Sequence, residues 1–149
     1  MCRCAYGEAT TVFLDGIYGK ARDAETTAEW AYKKVGDALR SVTTPTGLAE
    51  LRDYVNDVAK EVEKVLDQME DQIVEFACDE EVPRDDMAAG LGEAARQVRK
   101  VAFAQFNLVE IMGKVSQKQE GLYKPKDCFK CFDVVLTLVL RDFDVILTL

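Results

Sequence analysis

Cysteine is the residue type with most chemical potential in this chain, and four of the five cysteines lie in two short pairs. Cys2 and Cys4 are separated by one residue, and Cys128 and Cys131 by two. Four thiolates can hold zinc tetrahedrally, and C-x-x-C is a usual half-site, whereas C-x-C is less usual. If the ends of the chain meet, Cys2, Cys4, Cys128 and Cys131 form a candidate metal site. Such a site would tie the N-terminus to the loop before the last segment. The same thiols also fit a disulfide, or plain side chains partly buried beside Phe129 and Phe132. The plain reading is preferred because no confirming half-site exists, so no cofactor is expected. A redox role is the weakest option. Lys126 and Lys130 would lower a thiol pKa, but no β-α-β pattern precedes the motif.

Other chemistry is limited by what is missing. The chain contains no histidine, which removes the commonest general base and transition-metal ligand. Ser–His–Asp, Cys–His, zincin and Glu-x-x-His di-metal sites are therefore excluded. No paired carboxylates or activated nucleophile stand out, so no enzyme is expected. The formal charge is −8, and basic residues are interleaved with acids. That balance argues against nucleic acid and against an anionic membrane surface as partners. The run Asp79, Glu80, Glu81, Asp85 and Asp86 lacks the alternating ligands and glycine of a calcium loop, and reads as a solvated capping segment. The opening residues have no signal-peptide core, and an odd number of cysteines favours a reducing, cytoplasm-like compartment.

The elements that would position these residues are helices. Between Leu48 and Phe76 the apolar residues Leu48, Leu51, Val55, Val58, Val62, Val65, Leu66, Met69, Ile73 and Phe76 recur at three- and four-residue steps. This spacing predicts a helix over 47–78 with one apolar stripe. A second helix is predicted over 9–42, on Leu14, Ile17, Ala21, Ala24, Ala28, Ala31, Val35, Ala38 and Val42. Its alanine middle permits close approach of a neighbour. Gly16, Gly19 and Gly36 each cost roughly 1 kcal/mol within it, so a break or a close crossing is expected near Gly16–Gly19. A third helix is predicted over 85–119, capped by Asp85 or Asp86. Its stripe is Met87, Leu91, Ala94, Val98, Val101, Leu108, Met112 and Val115, interrupted by Gln105. Phe103, Phe106, Val109 and Ile111 widen it, which makes this helix the most enclosed of the three. Proline-containing links at 43–47 and 79–86 are short and imply antiparallel neighbours.

The remaining segment, 128–149, is strongly apolar. Lys130, Asp133, Thr137, Arg141, Asp144 and Thr148 fall in one narrow polar stripe if it is helical. High β-propensity around Arg141–Asp142 supports a hairpin instead. Its charges make a transmembrane span too costly, at roughly 2.5 to 3.5 kcal/mol each near a bilayer centre. The predicted fold is a single all-α domain over 1–149. It is an antiparallel up-and-down bundle of three long helices plus this segment, as a fourth helix or, second, a β-hairpin.

These features point to a non-enzymatic helical interaction or scaffold protein, a subunit of an oligomer or larger assembly. Phe132, Val135, Val139, Phe143 and Ile146 are the candidate contact residues for a protein partner or for self-association. The alternative is a carrier for a lipid or pigment, lined by Trp30, Tyr32, Phe103 and Phe106.

Overall fold

A computed structural model of the chain describes residues 6–122, which form three α-helices: α1 (Glu8–Ala38), α2 (Pro45–Ala77) and α3 (Arg84–Leu122). The three-helix, all-α bundle expected from the sequence is present, and the described residues include no strand. Segment 128–149 lies outside the described residues, and with it the choice between a fourth helix and a hairpin.

Local chemistry sets each boundary. At the start of α2, Thr44 accepts a hydrogen bond from the Gly47 N–H at 3.1 Å, and Pro45 occupies the first helical position. Proline is preset for that position, where its missing N–H has no intrahelical partner to lose. The helix thus begins at Pro45 rather than at 47. Gly47 is fixed by space: a Cβ there would lie 2.7 Å from Val42 Cγ1. The helical run of α1 ends at Ala38, short of the predicted Val42. Beyond it, Ser41 and Val42 both donate backbone hydrogen bonds to the Ala38 carbonyl, closing the chain into a turn. Before α3, Asp79 accepts from the Glu81 N–H at 3.0 Å and Val82 is buried, which anchors the link. The Pro83 carbonyl takes the first helical bond, from Met87 N–H at 2.9 Å. Proline 83 therefore precedes the helix directly, and Asp85 and Asp86 sit inside its first turn instead of capping it.

The core follows the predicted stripes closely in α1 and α2. Leu14, Ile17, Ala21, Ala24, Ala28, Ala31 and Val35 are buried on α1, and Leu48, Val55, Val58, Val62, Met69 and Phe76 on α2. Leu51, Val65, Leu66 and Ile73 pack at the edge of the same cluster. The bulky residues of α2 and α3 fill the space left by the alanines of α1. On α3 the stripe runs Ala94, Val98, Val101, Ala104, Leu108, Ile111 and Val115. Ala104 and Ile111 thus replace Gln105 and Met112, and Gln105 interrupts nothing. Phe103, expected to widen the apolar face of α3, is instead 70% exposed.

α1 is continuous through its glycines. Gly19 has no neighbour at its Cβ position, and Gly16 faces Gln72 at an ordinary 3.8 Å. The close crossing is at Gly90 on α3. A Cβ there would lie 2.9 Å from Thr10 Cγ2 and 3.1 Å from the Phe76 ring. Phe76 itself stacks on Phe13, with ring centroids 4.0 Å apart and planes 1° from parallel. All three helices therefore meet tightly at this end.

Candidate functional site

The largest polar cluster in the described structure joins α1 to α3. Glu93 accepts from Tyr18 Oη at 2.8 Å, from Arg96 Nη2 at 2.8 Å and Nε at 3.1 Å, and from Gln97 Nε2 at 3.1 Å. Its side chain is only 17% exposed, and Gln97 is buried. The Arg96 fork, followed by the Tyr18 and Gln97 hydrogen bonds, outweighs burial and brings the Glu93 carboxyl down to about 2. Burial, reinforced by the hydrogen bond to Glu93, pushes the Tyr18 phenol up to about 12. Both shifts keep the pair in one fixed state, ionised carboxylate and neutral phenol, at neutral pH. A general acid or base needs a pKa near the working pH, and this cluster has been moved away from it. Its chemistry is that of a lock between helices.

Each end of α1 is held by α3. At the N-terminus, the Gly7 N–H donates to both Asp86 carboxylate oxygens at 3.2 Å, and the Thr10 hydroxyl donates to Asp86 Oδ2. Gly7 has no side chain to cap its own helix, so a carboxylate from another helix does so. At the C-terminus, the Lys118 ammonium donates to the Leu39 carbonyl. A negative group thus sits at the positive end of the α1 dipole and a cation at its negative end, the favourable arrangement at both.

Two of the aromatic residues considered for a carrier cavity stand at the surface. Trp30 is 63% exposed and Phe103 70% exposed, while Tyr32 and Phe106 are half-buried. The Lys34 ammonium lies 5.4 Å from the Trp30 ring centroid and 4.8 Å from that of Tyr54, a surface cation–π pair bridging α1 and α2. On the other side, an open groove of about 570 Å³ surrounds Tyr32, with Glu29, Lys33, Asp37, Arg40 and Lys114 on its rim. Charged and open, it differs from the enclosed apolar pocket that a lipid or pigment fills.

Cys2, Cys4, Cys128 and Cys131 lie outside the described residues, as do Phe132, Val135, Val139, Phe143 and Ile146. Cys78, at the end of α2, is exposed and free. Among the described residues no group of three or more cysteines and carboxylates is placed to hold a metal. Nor is any described helix long and apolar enough to cross a membrane.

Sequence reasoning missed the Tyr18–Glu93–Arg96–Gln97 cluster and the two end contacts. Only the three- and four-residue steps among Glu93, Arg96 and Gln97 were visible, as an ordinary intrahelical set. It also treated basic residues as evenly interleaved with acids, whereas α3 gathers Arg96, Arg99 and Lys100 without an acid between Glu93 and Glu110. Compared with known proteins, the chain matches no family model, no curated protein and no solved structure.

Proposed function

We propose that this chain is a non-enzymatic helical interaction or scaffold protein that works as a subunit of an oligomer or a larger assembly. The observation that supports this reading is the division of its apolar residues. The three helices fill their own core with Val, Leu, Ile, Met and Ala, yet Val12, Trp30, Val74 and Phe103 stay more than 60% exposed. Large apolar groups outside a satisfied core are candidates for contact with another protein. The polar cluster fits the same reading, because its shifted pKa values suit a rigid scaffold better than proton transfer. The apolar residues Phe132, Val135, Val139, Phe143 and Ile146 are proposed as a further part of the contact surface.

Native mass spectrometry of the purified full chain tests the proposal. A defined multimer, or a stable complex with a protein partner, without a small molecule attached is the expected result. A monomer carrying a stoichiometric lipid or pigment would overturn it in favour of a carrier.

A further inference from the structure

The outer faces of α2 and α3 carry opposite charges in the same spacing. On α3, Arg96, Arg99, Lys100 and Phe103 occupy positions i, i+3, i+4 and i+7; on α2, Asp67, Glu70, Asp71 and Val74 occupy the same positions. Residues so spaced share one helix face. Phe103 is 70% exposed and Val74 62%. Arg99, Lys100, Asp67 and Asp71 are exposed, and Glu70 is half-buried. None of these four exposed charges, nor Glu70, forms an ion pair among the described residues. Arg96 is taken up by Glu93, so the free charges of the α3 strip are Arg99 and Lys100. Each face is therefore a short strip with unpaired charge of one sign, ending in an apolar side chain that the described residues leave uncovered.

From this complementarity we infer that the α3 strip of one copy of this chain docks on the α2 strip of a second copy. The reading rests on the assembly role proposed above and names a surface and an occupant for it. The Phe76 ring packs against Gly90 where α2 and α3 run antiparallel, so Asp67, nine residues before Phe76, lies level with Arg99, nine after Gly90, and the two strips overlap in height. Each copy carries one strip of each sign on the outer faces of two different helices, so the α3 strip of one copy meets the α2 strip of the next head to tail. This is a heterologous arrangement, which closes into a ring or continues as a chain. Phe103 and Val74 supply the apolar part of each contact, and the flanking charges fix its register. Opposite potentials select the partner, while like faces set together would be penalised.

Charge reversal tests the surface, with sedimentation velocity of the full chain in reducing buffer as the readout. The wild type is expected to self-associate. R99E/K100E and E70K/D71K should each raise the dissociation constant of this contact by more than about tenfold. An equimolar mixture of these two variants should recover the wild-type mass, because each reversed strip then meets a strip of opposite sign. This recovery excludes misfolding as the cause of the losses. R22E/K33E on α1 makes the same net-charge change as R99E/K100E and should leave the self-association intact. If the wild type self-associates and both strip reversals leave it unchanged, this surface is wrong while the assembly role stands. A wild type that stays monomeric overturns the self-docking proposed here, and a partner protein would then have to account for the assembly role.

Discussion

Glu93 is the side chain whose environment departs furthest from an ordinary surface group. Its folded pKa of about 2 lies below the unfolded value of 4.5, so the fold favours the carboxylate. The stabilisation is complete above about pH 4.5 and is lost as pH falls towards 2. Tyr18 has the opposite sense. Its folded pKa, raised from 10.0 to about 12, favours the neutral phenol, so its contribution is complete below about pH 10 and is lost as pH rises through 12. E93Q should cost about 1 to 2 kcal/mol at neutral pH and flatten the acid limb of the stability curve. Y18F should cost about 1 kcal/mol and flatten the alkaline limb. Urea unfolding at a series of pH values separates the two, and an acid limb unchanged in E93Q would mean that other carboxylates set it. At this scale the sequence was least informative. Tyr18 and Glu93 are far apart in the chain, and only the parallel packing of α1 and α3 makes them partners.

The helices themselves were legible because each apolar stripe repeats over many turns. All three elements were expected with their type and order, and every buried apolar residue of α1 and α2 belongs to the predicted series, of which Leu51, Val65, Leu66 and Ile73 are only half-buried. The errors came where the three- and four-residue rule permits two choices. After Val101 the step can go to Ala104 or Gln105, and after Leu108 to Ile111 or Met112. Burial in the common core selects Ala104 and Ile111, the latter beside Gly36 of α1. Glycine was the other ambiguity, since a sequence does not show what a Cβ would meet. G90A tests this distinction. Alanine improves helix propensity by about 1 kcal/mol, but its Cβ would crowd Thr10 and Phe76, so a net loss of about 1 to 3 kcal/mol is expected. At Gly19 and Gly113 nothing lies within 4 Å of that position. G19A and G113A should therefore stabilise by about 0.5 to 1 kcal/mol. Thermal melts of the three variants check the opposite signs.

Across the whole molecule, α3 acts as a ruler for α1. Gly7 meets Asp86 and Leu39 meets Lys118, and the separation in sequence is 79 residues in both cases. The intervening 32 residues span about 48 Å of helix at 1.5 Å per residue, so a slip of α3 along α1 would break both contacts together. The bundle therefore fixes its register at its ends and in the middle, at Tyr18–Glu93, while the alanine-rich seam between them provides little steric resistance to sliding. In single variants the two ends should behave independently. D86A removes the acceptor from the first turn of α1 and should cost about 1 kcal/mol, while K118A removes one cation at a helix C-terminus and should cost about 0.5 kcal/mol. Sites this far apart normally add to within about 0.5 kcal/mol. If each contact only caps its own end, D86A/K118A should match the sum. A double variant that loses clearly more than the sum would mean that either end alone suffices to hold the register, and that α1 shifts along α3 only when both are released. Hydrogen exchange of the α1 amides distinguishes the cases: independent caps give fraying confined to the mutated end, whereas a register shift lowers protection along the whole helix.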